Sequence, residues 1–385
     1  MPHKAKILTG VKVVLLANTD WYLDNFRFDL LCSLREQGAE VHCIAPNGRH
    51  LAWLAEQGFA THALDLGSDS FSLSGNRRTY KHLLSLYQEI QPDLVHHFTP
   101  RCVLLGSMAA HKTAVPSIVN ALTGLGHVFT SQSLKSRLAR PVLKGLFKKY
   151  LNGDRQAVVF QNSADMDELV SAGIVDGERC HLIRGSGVDP DKFRPVTAAR
   201  EDSEIRVLLA SRLIAEKGIF ELVEAMRQVV RSHPSAMLWL AGEPYAQNPT
   251  TLTDSDLRDL EKLPFVELLG HVDDIVPVLR EVDIVALPSY REGTPKILLE
   301  AAACALPIVA TDIAGCRGVV EDGENGFLVP ARDTVELSKA LLKLCEDAAL
   351  RKAMGQKGRD IILQGFTSEM VIRETLEVYQ GLLDR

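Results

Sequence analysis

The amino-acid sequence predicts an α/β protein of two doubly wound domains, each a parallel sheet with helices on both faces. Three observations lead there. Short β-branched runs alternate with segments of helical spacing along most of the chain, the pattern of strands joined by crossover helices. The alternation breaks once, in the Gly- and Pro-rich stretch Gly185 to Pro195, and then restarts. At 385 residues the chain is long for one core and natural for two domains of ordinary size.

Taken in order, the first half offers strands at Val11 to Ala17, Val41 to Ala45, Leu94 to Phe98, Ser117 to Leu122 and Ala157 to Gln161. The second half offers Arg206 to Ala210, Met237 to Ala241, Val266 to Leu269, Asp283 to Leu287, Ile308 to Thr311 and Phe327 to Val329. These runs place a first domain at 1–188 and a second at 189–370. In such sheets ligands bind beyond the carboxyl ends of the strands, most naturally in the cleft between the domains.

Composition narrows the function. A hydrophobic fraction of 46% and a charged fraction of 24% describe a globular protein with ample core. The seven cysteines form no Cys-x-x-Cys pair and several lie in apolar runs, which suits buried thiols in a reducing compartment and implies neither a disulfide framework nor a zinc site. Near the N-terminus no apolar segment follows the basic residues, and nowhere do eighteen uncharged apolar residues run together. A cytoplasmic protein without a membrane span is expected. A net charge of -6 argues against general nucleic-acid binding.

The chemistry is expected at Ser289 to Glu300. After the strand ending at Leu287, Thr294 and Pro295 read as a hydroxyl N-cap and a proline at the first helical position. Glu292 then lies on the loop and Glu300 inside the helix, roughly 7.5 Å along its axis from Pro295. That span suits a ligand with hydroxyls at both ends and negative charge between them, because a helix N-terminus binds phosphate. A sugar nucleotide has this layout. The same spacing also arises from a cap and an exposed charge. Ser211 to Gly218, after an earlier strand, carries Arg212 and Lys217, two cations suited to a diphosphate.

In the first domain Asn18 to Arg27 follows the first strand without a glycine, so the Gly-x-Gly-x-x-Gly fingerprint of a nicotinamide site is absent. Its polar and aromatic side chains could contact a sugar acceptor, or Trp21, Tyr22 and Phe26 could pack the first helix. Thr123-Gly-Leu-Gly126 is a second loop of this kind. The segment 133–151 carries Leu134, Leu138, Val142, Leu146 and Tyr150 at intervals of four among six cations, with no acid from His127 to Gly153. It reads either as a basic amphipathic helix lying on anionic lipid or as a solvated helix with one core-facing stripe, with Pro141 kinking it or starting a second helix. The triplets Asp165-Met-Asp167, Asp189-Pro-Asp191 and Asp254-Ser-Asp256 all stand at apparent helix starts or in the linker, so no catalytic metal is expected.

Taken together, these features resemble glycosyltransferase family 4, the retaining enzymes with the GT-B fold. The resemblance is carried by Gly187-Val-Asp189 with Phe193 and Pro195, the Arg212 and Lys217 loop, Leu287-Pro-Ser289, Glu292 to Glu300, Leu306-Pro-Ile-Val-Ala310 and Asn325-Gly-Phe-Leu-Val329. The first domain contributes Asn25-Phe-Arg27, Pro92-Asp-Leu-Val-His96 and Thr123-Gly-Leu-Gly126. Within the family the chain is similar to enzymes of lipid-linked oligosaccharide, O-antigen and capsule assembly, including those that move N-acetylgalactosamine onto a polyprenyl-diphosphate sugar.

The resemblance implies a metal-independent transferase without a cofactor, using a nucleotide sugar, a UDP-linked HexNAc in the first instance, and a lipid-linked saccharide acceptor at the inner face of the cytoplasmic membrane. Arg212 and Lys217 would hold the donor diphosphate, Glu300 the ribose hydroxyls, and Glu292 with Gly293, Thr294, Pro295 and Lys296 the donor sugar. Gly270, His271 and Val272 would lie near the base, with Glu243 and Gly187 also on the donor side. Asn18, Trp21, Arg27 and Thr123 would face the acceptor. Residues 371–385 would form a C-terminal helix packing back on the first domain. The chain departs from many relatives at Asn18 to Arg27, where a glycine-rich loop is common, at Thr123, where a His is common, and at Gly318, where a Glu is common. A transferase for a soluble acceptor, a sugar-nucleotide epimerase on the same fold, and a non-catalytic scaffold remain as alternatives.

Overall fold

The computed structural model describes residues 8–67, 72–124, 134–195, 203–245 and 248–384, with backbone alone for 134–138. The chain divides into two compact units, Met1–Ser186 with Val371–Arg385, and Gly187–Met370.

The first unit is built on a parallel sheet of seven strands in the order β3-β2-β1-β4-β5-β6-β7. They are β1 Lys12–Leu16, β2 Glu40–Ala45, β3 Ala60–Ala63, β4 Leu94–Phe98, β5 Ser117–Leu122, β6 Gln156–Phe160 and β7 Cys180–Leu182. Its helices are α1 Asp20–Glu36, α2 Arg49–Glu56, α3 Leu73–Ile90, α4 Pro100–Lys112, α5 Leu134–Tyr150 and α6 Ser163–Ser171. Alternate residues of β1 feed separate cores: Val13 and Leu15 pack on one face, Val14 and Leu16 on the other. A strand buried on both faces must be apolar throughout, which is why it reads as a continuous hydrophobic run.

The second unit repeats the plan with six parallel strands in the order β10-β9-β8-β11-β12-β13. These are β8 Ile205–Ala210, β9 Ala236–Ala241, β10 Val266–Gly270, β11 Ile284–Leu287, β12 Ile308–Thr311 and β13 Gly326–Val329. The helices are α7 Ile219–Ser232, α8 Asp254–Glu261, α9 Val276–Leu279, α10 Lys296–Ala303, α11 Ala314–Arg317, α12 Thr334–Glu346 and α13 Ala348–Gly365. A final helix, α14 Ser368–Leu383, places Val371, Val378, Tyr379 and Leu382 in the core of the first unit. Each sheet reverses its direction of growth after its third strand, between β1 and β4 and between β8 and β11. Loops diverge from the carboxyl edge at such points and leave room for a ligand.

Every strand expected from the sequence forms; β3 and β7 are additional. They are short and polar, Ala-Thr-His-Ala and Cys-His-Leu, and carry no β-branched run to announce them. The division falls at Ser186/Gly187, two residues before that drawn from the sequence. Val188 already belongs to the second unit, because it bridges Thr367 and its N–H donates to the Phe366 carbonyl at 3.0 Å.

Helix α5 is one helix with Pro141 inside it, and its seam keeps Leu146 and Tyr150 of the expected stripe but not Val142. Val142 is 64% exposed, whereas Phe147 and Leu151 are buried and Leu143, Leu146 and Tyr150 pack against them. A 3.6-residue turn carries a strict interval of four off the buried face. The expected cations Lys135 and Arg137 have side chains outside the described residues. No helix among the described residues is long and apolar enough to cross a membrane.

Candidate active site

The loop after β8 closes in a single 3-10 turn, Ala215–Lys217, and turns into α7 at Gly218, whose φ is +73°. A Cβ on Gly218 would stand 2.2 Å from the Pro288 carbonyl oxygen, so only glycine lets this loop lie against the one after β11. The two loops are joined there. The Tyr290 N–H donates to the Glu216 carbonyl at 2.8 Å, and the Lys217 ammonium forms a short ion pair with the Glu292 carboxylate. The two side chains are only 16% and 13% exposed. Largely withdrawn from water, each charge depends on the other. Lys217 and Glu292 therefore converge at the point where the sheet reverses.

A third loop, after β12, completes the convergence. A Cβ on Gly315 would meet the Gly293 carbonyl oxygen at 2.0 Å and that of Glu292 at 2.6 Å. Gly315 is the contact that holds the Glu292 loop down. No local signal in the sequence announces this, since the two segments lie more than twenty residues apart. Tyr290, another residue the sequence left without a role, donates to Glu221 at 2.5 Å, with the Arg332 guanidinium 4.4 Å from its ring.

Helix α10 begins one residue later than expected. Pro295, at φ −72° and ψ 117°, is the cap residue, and no side chain caps the helix through it. Thr294 is therefore not the N-cap: the extended backbone of Pro295 moves the first helical residue to Lys296. The helix ends at Ala303, short of Leu306. Ala305 turns left-handed at φ +57°, its N–H donating to Ala302 and that of Leu306 to Ala301, a Schellman motif with alanine in the position usually taken by glycine. Glu300 lies on the buried face, 7% exposed, with the Lys296 ammonium 3.6 Å away. Burial raises its carboxyl pKa, and the nearby charges of Lys296 and Lys192 oppose that shift.

Arg212 is exposed, its guanidinium 4.9 Å from the centre of the Tyr245 ring. The Leu213 N–H donates to the Glu243 carbonyl at 2.8 Å, and the Gly242 N–H to the Gly270 carbonyl at 2.7 Å. The loops bearing Glu243 and Gly270 to Val272 are thus laced to the Arg212 loop on the β8–β10 side of the edge. Gly270 takes φ +65° with open space around it, and the exposed His271 ring nitrogen lies 3.2 Å from Asp273. Gly187 packs against Ser368 at the start of α14. Its φ of +75° and the Ser368 Cα, 2.6 Å from where a Cβ would be, account for the glycine by backbone packing.

In the first unit Asn18 is exposed at the carboxyl end of β1 and Thr123 half-buried after β5. Leu125 and Gly126 of that loop lie outside the described residues. Tyr22 and Phe26 stack at 5.0 Å and Tyr22 reaches Phe98, whereas Trp21 remains 44% exposed. The packing reading therefore fits Tyr22 and Phe26 but not the outward side of Trp21. Arg27 is buried, at 6% exposure, and its Nη2 donates to the Tyr22 hydroxyl at 2.9 Å.

The acidic triplets have local duties. Asp165 receives the N-cap Asn162 amide at 3.1 Å, Asp189 accepts two backbone N–H groups in the linker turn, and Asp256 completes a capping box with Thr253.

Comparison with known proteins bears on both units. A family model described as glycosyl transferases group 1 matches residues 204–347, and one described as glycosyl transferase 4-like matches residues 12–162. The chain is 23% identical to the N,N'-diacetylbacillosaminyl-diphospho-undecaprenol alpha-1,3-N-acetylgalactosaminyltransferase of Campylobacter jejuni, covering 97% of this chain and 99% of that protein. It is 26% identical to the UDP-Gal:alpha-D-GlcNAc-diphosphoundecaprenol alpha-1,3-galactosyltransferase of Escherichia coli, covering 78% and 79%. The crystal structure of Anabaena Alr3699/HepE in complex with UDP and glucose superposes with a TM-score of 0.78 at 19% identity, covering 96% of this chain and all of that one. The fold is GT-B.

Proposed function

The chain belongs to the family 4 glycosyltransferases of the GT-B fold, and from that premise we propose that it moves a HexNAc-type sugar from a UDP-sugar onto a lipid-linked saccharide in bacterial surface-glycan assembly, with retention at the anomeric carbon. The observation that carries this reading is the Lys217–Glu292 pair at the reversal point of the second sheet, with the buried Glu300 on the helix that follows. The activities named for the two relatives, both on undecaprenol-diphosphate-linked sugars, support the acceptor class.

In this reading the donor diphosphate lies against Arg212 and Lys217. Lys217 exchanges one anionic partner for another, so the incoming phosphate meets a cation already desolvated and oriented. Glu300 accepts hydrogen bonds from the ribose hydroxyls, and Glu292, released by Lys217, orients the sugar. The bond from the anomeric carbon to the β-phosphate oxygen breaks as the acceptor hydroxyl oxygen bonds to that carbon on the same face. The hydroxyl proton passes to the departing diphosphate, and the products are UDP and the extended glycan. Arg212 and Lys217 supply the positive charge without a metal. The acceptor side is the carboxyl edge of the first sheet, with Asn18, Trp21 and Thr123. The exposed Lys148 and Lys149 of α5, beside exposed Val142, suit an anionic membrane surface.

A thermal-shift panel of UDP, GDP and ADP with chelator present tests the donor site. UDP at a hundred times its dissociation constant is expected to add about 2.7 kcal/mol of stability, with the response reduced in Glu300→Ala. No response to any nucleotide would overturn the reading. Transfer from UDP-HexNAc to a prenyl-diphosphate-linked sugar, and not to the free sugar, then separates the lipid-linked acceptor from a soluble one.

A further inference from the structure

We propose that Arg27 is an anion anchor for the diphosphate of the acceptor, formed with the N-terminus of α4 at the carboxyl edge of the first sheet. The inference rests on the lipid-linked acceptor proposed above and assigns the contact that would recognise its charge.

Among the described residues Arg27 is a buried cation without an acid. It is 6% exposed, and the one hydrogen bond it makes there runs from Nη2 to the Tyr22 hydroxyl; its buried Nε has no partner among them. Of the carboxylates nearest in sequence, Asp29 is exposed to solvent, Asp20 accepts the backbone N–H groups of His50 and Leu51, and Asp24 pairs with His50 at 2.7 Å. A guanidinium does not escape this cost by losing its proton. It remains charged, and in a site largely closed to water that charge is unfavourable until an anion arrives. The rings of Phe98 and Tyr22, 4.6 Å and 5.6 Å from the guanidinium carbon, offset part of the cost without supplying a counter-charge.

A second feature meets it there. Phe98 ends β4, and the next residue, Thr99, holds φ at +73° as the N-cap of the thirteen-residue helix α4 without making a side-chain cap bond. A β-branched residue at positive φ is strained, and strain of this kind concentrates where ligands are held. The uncapped end of α4 adds the positive end of its dipole beside the guanidinium. Helical side chains lean toward the N-terminus of their own helix, so Arg27 reaches back to the level of Tyr22, at the edge of the sheet and not beneath it. The neutral His96, its Nδ1 2.7 Å from the Tyr379 hydroxyl, lines the inner side and brings no counter-charge. A guanidinium without a counter-charge and a helix N-terminus together fit a dianionic diphosphate better than the hydroxyls of a sugar.

The test uses the full chain with Arg27→Met and Arg27→Lys. With UDP saturating, so that the donor site is filled, inorganic pyrophosphate is expected to raise the melting temperature of the wild type and of Arg27→Lys, and to have no effect on Arg27→Met. In transfer assays with a short-chain prenyl-diphosphate-linked N-acetylglucosamine, Arg27→Met should raise the acceptor KM about 10- to 100-fold and leave the donor KM within about twofold. Its unliganded melting temperature should be no lower than that of the wild type, because the substitution removes an uncompensated charge. An unchanged acceptor KM with an unchanged pyrophosphate shift overturns the assignment. A lower melting temperature with both KM values raised also overturns it, in favour of a packing role. If the wild type transfers to no prenyl-diphosphate sugar, the acceptor reading fails, while the pyrophosphate shift still decides the fate of the Arg27 site.

Discussion

The carboxyl edges of the two sheets share a strand order and manage charge in opposite ways. On the second sheet two cations stand with acids, Lys217 with Glu292 and Lys296 with Glu300, while Arg212 lies exposed over the Tyr245 ring. On the first, the buried polar groups are neutral or alone. His97 bonds Asn120 at 2.8 Å and the Tyr87 hydroxyl at 3.0 Å, His96 bonds Tyr379, and Arg27 meets no acid among the described residues. A paired edge can trade one anion for another while staying compensated, which suits a site that binds and releases a diphosphate on every turnover. An unpaired edge gains most when its anion arrives.

The sharpest way to break this contrast is to unpair the second edge. Glu292→Gln and Lys217→Met are each expected to lower kcat by on the order of 100- to 1000-fold. Each single change strands a largely buried charge, so the double variant should melt above the lower of the two single variants. Steady-state transfer assays and calorimetric melts read both effects. Single variants with wild-type rates and melting temperatures would reduce the pair to an ordinary surface contact.

A smaller effect isolates the geometry from the charge. Gly315→Ala sets a methyl group 2.0 Å from the Gly293 carbonyl oxygen, whereas a Cβ on Gly318 meets nothing closer than 3.6 Å. Gly315→Ala should destabilise the second unit by about 1 to 3 kcal/mol and lower kcat at least tenfold by displacing the Glu292 loop. Gly318→Ala should stay within about 0.5 kcal/mol of wild type. Equal behaviour of the two variants would show that the Glu292 loop is not held through Gly315.

The smallest effect is in pH dependence, where the two edges are expected to diverge. Burial lowers the His97 pKa to about 4, so the unfolded chain binds the extra proton first, below pH 6.5. The first unit therefore loses stability from about pH 6.5 down to about 4, by on the order of 3 kcal/mol from this group. Glu300 runs the other way. Burial raises its pKa above the ordinary 4.5, so the folded chain binds the proton first, and the penalty is absent at low pH and grows as pH rises through the raised value. Acidification from pH 7 to 5 should thus loosen the first unit before the second, as hydrogen exchange would show. His97→Gln should flatten the slope of the first unit, and Glu300→Gln should raise the melting temperature of the second at neutral pH. A common acid response of both units would refute the contrast.

Legibility divides along the same line. The donor-side residues stood out because Arg212 with Lys217, and Glu292 with Glu300, each fall within one loop or one helix turn of a β-branched run, and chemistry confined to neighbours in the chain leaves a pattern. The reason Glu292 stays in place did not, since Gly315 acts across space through its lack of a side chain. On the acceptor side Arg27 was visible as a residue but not as a buried cation. Its condition depends on Phe98, on the absence of an acid, and on a helix whose Tyr379 lies 283 residues from His96. The start of α10 slipped by one residue and Val142 fell off the seam of α5, because a cap and a buried stripe depend on backbone angles and packing finer than a spacing rule.

Residue order alone was enough for two doubly wound domains, the linker between them and the loops that carry charge, because alternation, glycine and proline act locally and apolar strands must be buried. Tertiary structure decided which charges are paired. Pairing depends on distance and on exclusion of water, and both arise only when segments far apart in the chain close around the same few atoms.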